Sequence, residues 1–176
     1  PRYSKIMPAD MMAARGLDDT ARFLTECAEK KERLMLAAAF ILTYEGAPMI
    51  YYGDEVGMVG ETDPDCRRGM IWDPRKQDHE IRDWYKDLIA LRRARSVLRT
   101  GQTRVFLADS VQNLIGYARY DDEDQVLVIL NNSDYERTIN MKALPWPNGA
   151  PGHVKELLTD TLVDSEIGRA SCRERV

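Results

Sequence analysis

Apolar residues recur at helical spacing in two stretches of the first hundred positions. In the stretch from Lys31 to Glu45 they are Leu34, Ala37, Ala38, Ile41 and Leu42. In the stretch that starts at Asp78 they are Ile81, Trp84, Tyr85, Leu88, Ile89 and Leu91. The pattern predicts two helices that each bury one face. Gly46 is expected to end the first helix, and Asp78 to cap the second, which should end near Gly101.

A short apolar run, Met49–Tyr52, separates the two predicted helices and follows Pro48. It predicts a buried strand. From Gly53 onward the chain reads GDEVGMVGETDPDCRRGMIWD, a long segment rich in Gly, Asp, Glu and Arg. Such a composition predicts a polar loop at the end of the strand.

After Gly101 the apolar positions alternate with polar ones. The alternating stretches predict four strands at Thr103–Ala108, Asn113–Tyr120, Gln125–Asn131 and Arg137–Met141. Polar turn sequences separate them, so we expect an antiparallel sheet after an α/β segment, with a boundary near Gly101. A single buried strand with two helices needs neighbouring strands. The chain is therefore expected to be a fragment of a longer protein.

Composition excludes several classes of function. The chain has 176 residues and a net charge of −4, with basic and acidic residues mixed along it. The basic residues form no patch, so the sequence does not predict nucleic-acid binding. No apolar run approaches the ~18 residues of a membrane span, so no membrane partner is expected.

Cysteine and histidine usage predicts neither a disulfide framework nor a metal site. The three cysteines (Cys27, Cys66 and Cys172) are far apart and odd in number, and only two histidines are present. No cofactor and no bound metal are expected. This usage fits a reducing compartment and predicts a cytoplasmic location.

The loop sequence PMIYYGDEVGM…DPDCRRGMIWD resembles the α-amylase family of glycoside hydrolases, in particular its cyclomaltodextrinase, neopullulanase and maltogenic amylase branch. The resemblance covers about Met11 to Thr161. It implies the C-terminal part of a (β/α)8 TIM barrel followed by an antiparallel β-sandwich domain, both incomplete. Residues 1–101 would be the last barrel segment, with Met49–Tyr52 as its eighth strand, and residues 102–165 a truncated β-domain. The polar loop would then line a sugar-binding cleft, since barrel enzymes build their sites at that face.

The resemblance assigns one catalytic-site residue to this chain, Asp19 in Leu17-Asp18-Asp19-Thr20. The family's nucleophile and acid precede this chain, so the chain alone is expected to be inactive. Asp19 would stabilise the positively charged sugar of the transition state; its alternative role is a helix N-cap. Asp18 would contact substrate, but it stands where the family has His and can only accept hydrogen bonds when ionised.

Two further residues are implied to bind substrate. Asp63 and Arg67 match a family pair that holds the glucose unit on the non-reducing side of the cut bond, and their alternative role is a salt bridge within the loop. We expect Arg68 to pair with a loop carboxylate and Glu55 to fix the loop. Trp72 is left open between stacking on a sugar and packing under the loop.

The last residues, 166–176 (EIGRASCRERV), depart from the β pattern and are expected to be a non-native tail; a disordered basic terminus is the alternative. For the parent protein the resemblance implies a retaining hydrolase of cyclodextrin, pullulan or maltooligosaccharides, and leaves a homodimer open. A competing hypothesis, suggested by Leu17 and Asp18, is a carbohydrate-binding or structural relative without catalysis.

Overall fold

The computed structural model describes residues 31–58, 60, 63–158, 162–163 and 169–172. They belong to two compact units. One unit falls within Pro1–Ala38 and Met49–Lys86, and the other within Ala39–Pro48 and Asp87–Val176. The division does not follow the boundary predicted at Gly101, because the last residues of the second helix group with the sheet that follows. A domain boundary there stays a prediction.

Both predicted helices are present. Helix α1 occupies residues 31–43, and Gly46 beyond its end adopts a left-handed φ of 94°. Helix α2 spans His79–Ala94 and is capped by Asp78, whose Oδ1 accepts from the N–H of Ile81 at 3.1 Å. A one-turn helix, α3 (Val97–Thr100), follows before Gly101. The predicted cap and the predicted end of the first helix are confirmed. The second helix ends at Ala94, before the predicted end near Gly101, and the separate helix α3 lies between these two positions.

In the first unit, apolar side chains from both helices and from the intervening segment are buried: Leu34, Ala38, Val56, Met58, Ile81 and Tyr85. Trp84 is half-buried, and its indole N–H donates to the carbonyl oxygen of Met35 at 2.9 Å. Three helical positions predicted to be apolar contacts are wrong: Ala37 is exposed, Ile41 is 43% exposed and Ile89 is 37% exposed. In each helix the covered face is narrower than the predicted apolar stripe, so residues at the edge of the stripe stay exposed.

The segment Met49–Tyr52 is not a strand, which corrects the sequence prediction. All four side chains are exposed, Met49 by 79%. A parallel strand forms only when neighbouring strands satisfy its N–H and C=O groups. Among the described residues no strand pairs with this segment, and its four side chains are not buried.

The second unit contains a three-stranded antiparallel sheet, in the order β1 (Gln102–Asp109), β2 (Leu114–Tyr120), β3 (Gln125–Asn131). The predicted strands at these positions are confirmed. The central strand β2 is the most buried, and its Tyr117 stands edge-on to Phe40 and Tyr44. The Tyr117 hydroxyl and Thr43 Oγ1 are 2.6 Å apart, and burial raises the pKa of Tyr117 to about 12.

Short strands follow. Strand β4 (Arg137–Asn140) pairs with β7 (Arg169–Cys172), and β5 (Val154–Lys155) pairs with β6 (Leu162–Val163), all antiparallel. The strand predicted at Arg137 is confirmed. The last residues were expected to break the β pattern, but Arg169–Cys172 form a strand. Their backbone pairs with the edge of β4. A non-native origin for 166–176 stays a prediction.

Arginine side chains donate to carbonyl oxygens at the C-terminal ends of α1, α2 and α3, which fall in the second unit. Arg92 donates to the carbonyl oxygens of Leu42, Tyr44 and Gly46 at 2.8, 3.1 and 2.5 Å, at the end of α1. Arg99 donates to two carbonyls at the end of α2, and Arg119 to two around α3. Cations at helix C-termini complement the macrodipole and satisfy carbonyls that lack intrahelical partners.

No helix among the described residues is both long and apolar enough to cross a bilayer.

Candidate functional site

The candidate loop begins at a tight turn held by local hydrogen bonds. Gly53 has a left-handed φ of 92°, and its N–H donates to Glu55 Oε2 at 2.7 Å. A Cβ at Gly53 would lie 2.7 Å from Met58 Sδ, so both the backbone angle and the packing require glycine. The prediction that Glu55 fixes the loop is confirmed by this contact.

Further along, the loop carries two ion pairs between residues close in sequence. Arg67 Nη2 lies 2.7 Å from Asp63 Oδ2, and Arg68 Nη2 lies 2.6 Å from Asp65 Oδ1. The predicted pairing of Arg68 with a loop carboxylate is confirmed. The Asp63–Arg67 salt bridge that the sequence left as an alternative is present, and it does not exclude a ligand, because the two side chains are 59% and 69% exposed.

The Asp63–Arg67 pair presents one acceptor group and one donor group to solvent. A carboxylate accepts hydrogen bonds and a guanidinium donates several in a fixed planar arrangement. Two neighbouring hydroxyls of a sugar can use both groups at once. An exposed pair of this kind stabilises a fold by only about 0–1 kcal/mol, so its chemistry is available to a ligand at little structural cost.

The backbone beneath this pair is tied to the start of the loop. The Tyr52 hydroxyl donates to the carbonyl oxygen of Arg68 at 2.9 Å. Gly69 follows, with nothing within 4 Å of a Cβ placed there, so the chain after the arginines is open to solvent. Tyr52 was not predicted as a loop contact, because a hydroxyl at the end of an apolar run carries no sequence signal of its partner.

The loop ends at an exposed aromatic residue and a second local ion pair. Trp72 is 81% exposed, which makes the predicted alternative of packing under the loop wrong among the described residues. Arg75 binds Asp73 through two nitrogens at 3.0 and 3.1 Å. These hydrogen bonds lower the pKa of Asp73 and raise that of Arg75. Trp72 therefore stands on the surface beside a fixed charged pair.

The loop leads into helix α2 through a half-buried cluster of charges. Lys31 Nζ lies 2.9 Å from Asp78 Oδ2 and 2.6 Å from Glu80 Oε2. Burial raises the pKa of Asp78, but the hydrogen bonds from Lys31 and from the N–H of Ile81 outweigh it, and the pKa is lowered overall. Asp78 thus remains ionised and fixes both the helix start and the end of the loop.

Asp18 and Asp19 lie outside the described residues, so their predicted roles stay predictions. Among the part of the chain that the structure describes, no group of three His, Cys, Asp or Glu side chains is arranged to hold a metal ion. Of the predicted site residues, the structure describes Asp63 and Arg67 and brings them into direct contact.

Comparison with known proteins gives a match to a family model. Residues 2–102 match the model described as "Alpha amylase, catalytic domain". This range is more than half of the chain and includes the whole candidate loop. It ends at the start of strand β1, so the sheet region lies outside it.

Curated relatives and a solved structure match as well. The chain is 44% identical over 133 residues to neopullulanase 2 of Thermoactinomyces vulgaris, and 43% identical over 126 residues to cyclomaltodextrinase of Geobacillus thermopakistaniensis (strain MAS1). Each alignment covers 72% of this chain, but only 23% and 21% of the relative. A solved cyclomaltodextrinase structure is 42% identical with a TM-score of 0.60, over 66% of this chain and 20% of that one. The chain therefore spans about a fifth of the length of these relatives.

Proposed function

The chain belongs to the α-amylase family, and from this we propose that it is a part of an α-glucan-active glycoside hydrolase. In this proposal residues 1–101 are the end of a (β/α)8 barrel, and residues 102–165 belong to a C-terminal β-sandwich domain. Relatives named neopullulanase and cyclomaltodextrinase support cyclodextrin, pullulan or maltooligosaccharides as substrates of the parent protein. Cys66, a free cysteine, is in keeping with a reducing, cytoplasmic location.

The observation that carries the proposal is the exposed Asp63–Arg67 pair on a loop within the matched catalytic domain. We propose that the pair holds a glucose unit on the non-reducing side of the cut bond. The Asp63 carboxylate accepts from one hydroxyl and the Arg67 guanidinium donates to its neighbour. Asp63 and Arg67 then each give up part of their ion pair and make a hydrogen bond to the sugar instead.

The bond-breaking step requires groups outside this chain. Retaining hydrolysis needs a carboxylate nucleophile and a carboxylic acid about 5 Å apart. We place both in the remainder of the parent protein, and assign to this chain Asp19, which stabilises the charged sugar ring, and Asp18, which contacts substrate beside it. The 176-residue chain by itself is then inactive.

The proposal is tested by comparing the complete parent protein with the isolated chain on β-cyclodextrin, pullulan and maltotriose. The complete protein is expected to release reducing sugar from at least one of them. The isolated chain is expected to release none above a mock-purified control. Binding without hydrolysis by the complete protein would favour the alternative of a carbohydrate-binding relative, for which the Asp18 substitution in the family motif is the supporting observation.

The role of Asp19 has its own test. In the complete protein, Asp19→Asn is expected to lower kcat about 100-fold or more, on the order of 3 kcal/mol, because it removes an electrostatic contact that acts mainly on the transition state. Asp18→His, which restores the family residue, is expected to keep or raise kcat. A kcat for Asp19→Asn within about twofold of the unsubstituted protein would assign Asp19 to the helix cap.

A further inference from the structure

Trp72 is the most exposed aromatic side chain of the candidate loop, at 81%. The other two described tryptophans are each engaged by an indole hydrogen bond, Trp84 to Met35 and Trp146 to Met141. A large apolar side chain that stays in water does not contribute the stabilising free energy that its burial would supply. An exposed indole on a polar loop is therefore a feature that needs a physical reason.

Hydrogen bonds hold the chain on both sides of Trp72. Before it, Gln77 Nε2 donates to the carbonyl oxygen of Ile71 at 2.8 Å. After it, Asp73 caps a one-turn helix by accepting from the N–H of Arg75 at 3.1 Å. The positions that flank Trp72 are therefore tied down, and its indole is exposed to solvent.

An exposed aromatic plane suits a ligand that is flat and apolar on one face and polar at its edge. Aromatic side chains contribute large contact area, and Trp combines an apolar body with a polar N–H. A glucose ring has such a shape, with C–H groups on its faces and hydroxyls around its rim. The Asp73–Arg75 pair beside Trp72 offers an acceptor and donors to those hydroxyls.

Trp72 also lies within reach of the sugar-binding pair. Trp72 lies five positions after Arg67, and five extended residues span at most about 18 Å. A linear or cyclic α-glucan of several glucose units can bridge such a distance. One glucan can therefore contact both positions, with different glucose units at each.

We propose that Trp72 forms a stacking subsite for a glucose unit of the α-glucan, separate from the unit held by Asp63 and Arg67. This inference rests on the proposed function and deepens it. The subsite is filled only by substrates long enough to reach it. Trp72 is thereby a residue that favours longer and cyclic glucans over the shortest ones.

The test measures kcat and KM of the complete parent protein on maltotriose, maltoheptaose and β-cyclodextrin. Trp72→Ala is expected to raise KM about tenfold for the two larger substrates, the loss of one stacked aromatic contact, and to leave maltotriose within about twofold. Trp72→Phe should restore most of the affinity because it keeps a stacking ring. Tyr135→Ala is the matched control, since Tyr135 is another exposed aromatic, at 71%, outside the loop. It should leave all KM values unchanged.

The outcomes separate this inference from the proposed function. Absence of hydrolysis by the unsubstituted protein on every substrate would overturn the proposed function itself. If Trp72→Ala hydrolyses the substrates and its KM depends on glucan length as in the unsubstituted protein, the stacking subsite alone would be overturned. A variant that loses thermal stability or changes its oligomeric state, with equal KM changes on all three substrates, would assign Trp72 to a protein interface and also overturn it.

Discussion

Arginines of the two compact units differ in what they contact. On the loop of the first unit, Arg67, Arg68 and Arg75 lie at the surface, and each pairs with an aspartate within four residues. In the second unit, Arg92 and Arg119 are buried and donate to main-chain carbonyl oxygens at helix ends. Exposed pairs add little to stability, whereas removing a buried donor leaves carbonyls without partners. The same residue type thus forms exposed ion pairs in one unit and satisfies main-chain carbonyls in the other.

The largest stability effect is expected for Arg92→Met. The substitution keeps an unbranched apolar stem but removes every donor to Leu42, Tyr44 and Gly46 at the end of α1. Losing these charge-assisted hydrogen bonds should destabilise the parent protein by about 3 kcal/mol. Chemical unfolding of the complete protein measures the change. Arg93→Met, at the exposed neighbouring position, is the control and should cost less than about 0.5 kcal/mol.

The Lys31–Asp78 ion pair lies in the first unit and is half-buried, and its Asp78 also caps α2. Substitutions of Asp78 test how much this pair stabilises the protein. Asp78→Ala removes both functions and is expected to cost about 2 kcal/mol, whereas Asp78→Asn keeps a capping oxygen and should cost less than half of that. Equal losses for the two variants would show that the charge, and not the cap, accounts for the effect.

The same pair has a pH dependence of defined sign. The pKa of Asp78 is lowered in the folded state, so its contribution is complete above its unfolded value of about 3.9 and is lost as pH falls through the folded value. Burial lowers the pKa of Lys31, but its bonds to Glu80 and Asp78 raise it overall, so that contribution is lost only as pH rises above about 10.4. The stability gap between the unsubstituted protein and Asp78→Asn should therefore narrow as pH is lowered from neutral towards about 3. A constant gap would contradict the ionic part of the interaction.

Arg67→Ala is expected to separate binding from stability. Because the Arg67 and Asp63 side chains are more than half exposed, the melting temperature of the parent protein should change little. KM for maltoheptaose should rise about tenfold, with a smaller effect on maltotriose, since the hydrogen bond from the Arg67 guanidinium to the sugar is lost. Arg68→Ala is the matched control, because Arg68 has the same kind of pair, with Asp65, but no assigned sugar contact. Equal KM changes in both variants would contradict the role of Arg67.

Sequence patterns predicted what depends on local chemistry and failed where distant residues decide. The Asp78 cap and the first three strands of the sheet follow from side-chain spacing and turn residues, and the structure contains them. The Asp63–Arg67 contact was foreseen because its partners are four residues apart. The strand at Met49–Tyr52 was wrong because a strand depends on partners that spacing cannot supply. The contacts of Arg92 and Arg119 were missed for the same reason, since Arg92 reaches carbonyls 46 to 50 residues away and Arg119 reaches carbonyls 18 and 22 residues away.

Arg119→Met is expected to have the smallest effect and gives the sharpest test of the comparison. Arg119 is fully buried, yet only its Nη2 donates, to Val97 and Gly101, while Nε and Nη1 have no hydrogen-bond partner among the described residues. Burial lowers the pKa of Arg119, with Glu45 acting in the opposite direction, so the charge is held at a cost in free energy.

Met fills much of the space of the Arg119 stem and removes the free-energy cost of a buried charge. At the same time the carbonyls of Val97 and Gly101 lose the hydrogen bonds from Nη2. These terms oppose each other, and the net change in the free energy of unfolding should lie within about 1 kcal/mol of zero. Arg119→Ala should be clearly worse, by about 2 kcal/mol or more, because it leaves a cavity as well. If Arg119→Met cost as much as Arg92→Met, then two hydrogen bonds from one nitrogen would be as important as three from two nitrogens. The number of carbonyls satisfied would then not determine the cost of losing a buried arginine.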